Sequence, residues 1–190
     1  SEKSGIGHSG WGQGLWLGHK DNDGGIYLFL TYYRQNMLYR NNGDGTFTDG
    51  TAKAGLLQPP GPGGRPRWNS GCAFLDYNKD GNLDLFVANY LNTTLEKLPR
   101  PGENADCNWK GVPINCGPRG LPTGFVQLFH NNGDGTFTEV SNASGVSTAA
   151  GSYPMTAIAA DYDNDGWPDI YVACDSTPSN FCRNNKDRTF

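Results

Sequence analysis

Apolar residues in this chain come in short runs, each bounded by glycine, asparagine or aspartate. "IYLFLTYY" (26–33), "CAFL" (72–75), "LDLFVANY" (83–90) and "DIYVA" (169–173) are rich in aromatic and β-branched side chains. No long run keeps the 3.6-residue spacing of an amphipathic helix. Short strands divided by Gly/Asn/Asp turns predict an all-β fold.

The runs repeat. "GHKDNDGGIYLFLTYY" (18–33), "LDYNKDGNLDLFVANY" (75–90) and "ADYDNDGWPDIYVACD" (160–175) align without gaps. Downstream, "YRNNGDGTFTDGTAKAGL" (39–56) returns as "FHNNGDGTFTEVSNASGV" (129–146) and, degraded, as "CRNNKDRTF" (182–190). Each unit therefore reads strand, acidic loop, strand, link, strand, NGDG turn, strand. With a period of about 53 residues, such four-stranded units are expected to be β-propeller blades.

Spacing locates the insertions. His19 precedes Asn41 by 22 residues and Asp161 precedes Asn184 by 23, but Asp76 precedes Asn131 by 55. An insertion is therefore expected between Asn92 and Gly124, and a smaller one at "PPGPGGRP" (59–66). The predicted division is 1–57 (the end of one blade plus a first blade), 58–147 (a second blade carrying the insertion 92–124) and 148–190 (a third, truncated blade). Three blades are too few to close a ring of four to eight, so the expectation is a piece of a larger propeller.

Each acidic loop crowds carboxylates together. At an effective dielectric near 20, two carboxylates about 4 Å apart repel by on the order of 4 kcal/mol, so something must offset the charge. The pattern D-x-[DN]-x-D-G-x-x-D supplies oxygen ligands at positions 1, 3, 5 and 9, a backbone carbonyl at 7, and a glycine for the sharp turn. Hard oxygen ligands without Cys or His select Ca²⁺. The candidate ligands are Asp76, Asn78, Asp80, Asp84 and the Asn82 carbonyl in one loop, and Asp161, Asp163, Asp165, Asp169 and the Trp167 carbonyl in the other. Four carboxylates against three favour the second of these loops for affinity. The first unit has His19 and Tyr27 where the others have aspartate, leaving a weak site with Asp21 and Asp23. The NGDG segments are expected to be hairpin turns.

The formal charge is −4 and no basic stripe is visible, which argues against a nucleic-acid partner. No apolar run is long enough to span a membrane. Neither a nucleophile elbow, a phosphate loop nor a zinc-protease motif occurs, so no catalytic residue is assigned. Of five cysteines, Cys107 and Cys116 are expected to form a disulfide. Cys174 with Cys182 is a weaker pair, and Cys72 is either free or joined to Cys174. Disulfides fit a secreted or cell-surface location. Trp11, Trp68, Trp109 and Trp167 could stack on sugars, although Trp11 and Trp16 read better as wedges between blades.

"RNNGDGTFTDGTAKAGL", "GCAFLDYNKDGNLDLFVANY" and "CGPRGLP" together resemble FG-GAP/VCBS repeats, the blades of integrin-alpha-like propellers, and among them the bacterial relatives of cartilage acidic protein. The resemblance implies a calcium-stabilised extracellular propeller with metal ligands at the aspartates named above. The leading expectation is a non-catalytic module for adhesion, with a protein or glycan partner at the cell surface. The alternatives are a carbohydrate-binding or carbohydrate-active domain, and a subunit of an extracellular polymer that self-assembles through incomplete blades.

Overall fold

The computed structural model describes residues 2–19, 25–103, 107–149 and 151–190. Four strands build the first blade: β1 (Gly12–Gly18), β2 (Tyr27–Tyr32), β3 (Met37–Asn41) and β4 (Phe47–Asp49). The second contains β5 (Asn69–Leu75) and β6 (Asp84–Leu91), and is completed beyond the insertion. Within the insertion, β7 (Asn108–Trp109) and β8 (Val112–Pro113) form a small hairpin. The second blade then closes with β9 (Thr123–Asn131) and β10 (Phe137–Glu139). The third blade has β11 (Pro154–Ala160), β12 (Asp169–Cys174) and β13 (Asn180–Cys182). Pairing is antiparallel throughout.

Side chains alternate across a strand, so a blade between two others must be apolar on both faces. Strand β6 meets that demand. Leu85 and Val87 join Phe29, Leu38, Phe129 and Phe137 in one core, while Phe86 joins Leu128, Ile170 and Val172 in another. In the outer blades the burial alternates, as along β2. Their outward faces still carry apolar residues: Leu15 and Leu17 on β1, and Ile158, Tyr171 and Phe181 on the third blade.

Glycine sets the closeness of the innermost strands. Gly14 and Gly71 hold the same position in β1 and β5. A Cβ on Gly14 would stand 2.6 Å from the Ser70 carbonyl oxygen, and one on Gly71 would stand 2.6 Å from Cα of Thr156. Successive blades also share a clasp: the N–H of Phe137 donates to the Ala54 carbonyl (2.9 Å), and that of Phe190 to the Ser144 carbonyl (2.8 Å).

The hairpin turns show a local conflict. Gly43 and Gly45 lie at φ of 82° and 84°, and Gly133 and Gly135 at 79° and 89°. In the third unit Lys186 (68°) and Arg188 (72°) adopt the same left-handed conformation. For side-chain-bearing residues this costs about 1–2 kcal/mol each, partly offset by the lower chain entropy they bring to the unfolded state. Arg188→Gly is therefore expected to raise stability by about 0.5–1 kcal/mol in urea unfolding; a loss would show that the arginine side chain holds the turn.

Candidate metal centres

The two full acidic loops share one backbone design. In the second blade, Asp76 accepts the N–H groups of Asp80 (3.0 Å) and Gly81 (2.9 Å). In the third, Asp161 accepts those of Asp165 (3.0 Å) and Gly166 (2.8 Å). Asn82 and Trp167 donate their N–H groups to Asp80 and Asp165, each at 2.9 Å. Lys79 and Asn164 occupy the same left-handed position, followed by Gly81 and Gly166 at φ of 89° and 87°. The chain is thus wound around the first aspartate.

The ninth position does more than the pattern suggests. Asp84 is fully buried and Asp169 is 2% exposed. Asp84 Oδ1 accepts the N–H of Asn131 (2.7 Å), and Asp169 Oδ1 accepts that of Asn184 (2.7 Å). Each also takes a longer hydrogen bond from Tyr77 or Tyr162 N–H in its own loop (3.3 Å). Asn131 and Asn184, the first asparagines of the NN pairs, are themselves buried and donate back to the carbonyls of Leu83 and Pro168 (3.1 Å). The acidic loop is thereby latched to the NN turn. In the first unit, where Tyr27 replaces the aspartate, the N–H of Asn41 goes to the Ile26 carbonyl instead.

Carboxylates converge most closely in the third blade. One oxygen from each of Asp161, Asp163 and Asp169 lies within 4.8 Å of the others, a spacing that a single cation could bridge. Asp165 turns aside. It lies 3.0 Å from Lys186 Nζ, whose hydrogen bond, with that of Trp167 N–H, holds its carboxyl below the usual range. Arg183 clasps Asp163 at 2.8 Å and 3.1 Å. Those two cations offset part of the carboxylate repulsion, and a bound metal would have to share Asp163 with Arg183.

In the second blade Asn78 stands where Asp163 does, so the corresponding trio is two carboxylates and an amide. The Asn78 amide donates to Asp80 (2.9 Å). Burial works to raise the Asp80 carboxyl, but hydrogen bonds from Asn82 and Asn78 hold it below its ordinary value. The His130 ring stands beside this loop, with Nδ1 3.0 Å from Asp84 and Nε2 3.9 Å from Asp80. Burial pushes the Asp84 carboxyl up to about 6 despite the hydrogen bonds from Asn131 and His130. An ionised Asp84 is under-compensated at this depth, the condition a divalent ion relieves. Asn131, Asn184, His130, Arg183 and Lys186 were not among the sequence candidates. The NN pairs were their only trace, and those read simply as turns.

Asp21 and Asp23, the weak site of the first unit, lie outside the described residues; beside them His19 Nδ1 donates to the Gly25 carbonyl (3.1 Å). The NGDG segments form closed turns in which Asp44 and Asp134 each accept both N–H and Oγ1 of the threonine two residues on. Trp167 lies under the Lys79 ammonium, 4.7 Å from the ring centroid. Trp16 stacks on Phe74 between the first two blades as expected, whereas Trp11 is 55% exposed and wedges nothing.

Cys107 and Cys116 are bonded as expected, enclosing the β7–β8 hairpin. Cys72, Cys174 and Cys182 are free. Register explains the failed pair: Cys182 sits opposite Ile170, four residues along β12 from Cys174. Four extended residues span about 13 Å, twice the Cα reach of a disulfide. Burial pushes the Cys72 thiol up to about 12 and that of Cys182 up to about 11, so both remain protonated at neutral pH.

Known proteins carry the same repeat. Over 55 residues the chain is 40% identical to human cartilage acidic protein 1, a match covering 29% of this chain and 7% of that protein. The FG-GAP-like repeat model matches residues 20–87 and 119–172, more than half of the chain and both full acidic loops. The chain belongs to the FG-GAP-like repeat family.

Proposed function

We propose that this chain is a non-catalytic, calcium-stabilised module of an extracellular protein. In this reading the acidic loops hold Ca²⁺ and the opposite end of the blades meets a protein or glycan partner. Family membership suggests an extracellular adhesion or interaction module, the Cys107–Cys116 disulfide fits that location, and no described helix is long and apolar enough to cross a membrane. The carrying observation is the convergence of Asp161, Asp163 and Asp169 in a loop whose hydrogen bonds recur in the second blade. A bound ion would supply positive charge where like charges meet, tying the two ends of the loop together. Its candidate ligands are Asp161, Asp163, Asp165, Asp169 and the Trp167 carbonyl in one loop, and Asp76, Asn78, Asp80, Asp84 and the Asn82 carbonyl in the other. These carboxylates already accept backbone N–H groups or pair with cations, which suits ligands better than acid–base catalysts.

Antiparallel connectivity places the acidic loops and NGDG turns at one end of the blades. The insertion 92–124 emerges at the other end, between β6 and β9. It exposes Trp109 (65%) beside Lys110, and Val112 (61%), on a hairpin held by the disulfide. Trp109→Ala with Lys110→Ala is expected to reduce capture of the partner from a native extracellular surface at least about tenfold while leaving calcium binding and the melting temperature unchanged. Undiminished capture would reject this face.

A further inference from the structure

Between the first two blades, at the end away from the acidic loops, lies a pocket of about 290 Å³. It is bounded by the β2–β3 link (Arg34, Gln35) and by the proline-rich link between blades, from Gln58 to Arg67. Arg67 is only 9% exposed. Its Nε donates to the Pro59 carbonyl (2.9 Å), and its guanidinium lies over the Phe125 ring at 5.4 Å. Among the described residues no carboxylate pairs with it; Glu139 acts on it only at longer range. Burial lowers the Arg67 pKa, so an anion reaching this guanidinium from the pocket would be favoured.

Arg34 lines the same pocket. Its backbone is held at φ 82° by the N–H bond to the Arg67 carbonyl (2.7 Å), an unfavourable conformation for a side-chain-bearing residue. Its guanidinium lies 5.8 Å from the centre of the Tyr33 ring, and its charge reaches the exposed Glu96. Arg34 and Gln35 also line an adjoining depression of about 410 Å³, where Trp11 and Tyr33 present their rings 5.9 Å apart beside His8 and Ser9.

We infer that this pair of depressions binds an acidic sugar, its carboxylate between Arg67 and Arg34 and a sugar ring against Trp11 and Tyr33. The guanidinium fork matches a planar carboxylate, and exposed aromatic rings beside polar side chains match the apolar face and hydroxyls of a pyranose. The chain as a whole is acidic, so attraction of an anion here is a local property of these two arginines. The site stands apart from the acidic loops and does not depend on their holding calcium.

The test is calorimetric titration of the whole chain with a glucuronate-containing disaccharide at low salt. The neutral disaccharide with the carboxylate reduced to an alcohol, and an acidic hexapeptide, serve as comparisons. Saturable binding of the glucuronide alone is expected, weakened at least about tenfold by Arg34→Gln and by Arg67→Gln, the loss due to one charge-assisted hydrogen bond. Thermal melting shows whether each variant is folded. Arg67→Gln removes the bond to Pro59 as well, so the exposed Arg34 decides if that variant unfolds. No binding, equal binding of the neutral sugar, tighter binding of the peptide, or full affinity in folded Arg34→Gln would each overturn the inference.

Discussion

Asp84→Ala is expected to cost about 3 kcal/mol or more of folding stability, and to do so even with a chelator present. Asp84 is fully buried and accepts the N–H groups of Asn131 and Tyr77 and a hydrogen bond from His130. Removing it strands buried donors, each costing about 1–3 kcal/mol. The exposed Asp161 has no such burden, so Asp161→Ala is expected to cost less than about 1 kcal/mol in chelator and substantially more with calcium present. Urea unfolding of both variants, with calcium and without, separates latch from ligand. If Asp84→Ala were harmless in chelator, the hydrogen-bonded latch would have no energetic weight.

Chelation of the unsubstituted protein is expected to lower its melting temperature by roughly 10–20 °C. At free calcium 100 times the dissociation constant each occupied site adds about 2.7 kcal/mol, and for a chain of this size 1 kcal/mol is worth about 2–4 °C. Magnesium is expected to restore little, since it resists losing its waters and demands a tighter octahedron. Carboxylate count alone ranks the third-blade loop first. Arg183 and Lys186 reduce that advantage by pairing with Asp163 and Asp165. In the second-blade loop, among the described residues, no Lys or Arg forms an ion pair with Asp76, Asp80 or Asp84, and the His130 ring lies beside Asp84. Lys186→Ala should therefore tighten calcium binding in the third blade several-fold. Unchanged affinity would mean that the lysine leaves Asp165 at no cost.

Local chemistry was legible in the sequence and pairing across distance was not. The strands, the blade order and the turns follow from period-two burial and from Gly and Asn at left-handed positions, both of which are local. The disulfide was readable because it closes a short loop. The Cys174–Cys182 pair failed because strand register, which spacing does not reveal, sets the cysteines four residues apart along β12. The latch escaped notice because Asn131 lies 47 residues from Asp84, beyond the insertion. Trp11 read as core, yet it precedes β1 at the rim, where no strand covers it. The Arg34–Arg67 pocket was invisible, since those residues meet only when two links pack together.

Calcium titration calorimetry on the metal-stripped chain tests the calcium reading most directly. Two binding events are expected, with Asp76→Ala and Asp161→Ala each removing a different one and the double variant removing both. Two unaltered binding events in the double variant, or no saturable heat from the unsubstituted chain, would contradict it.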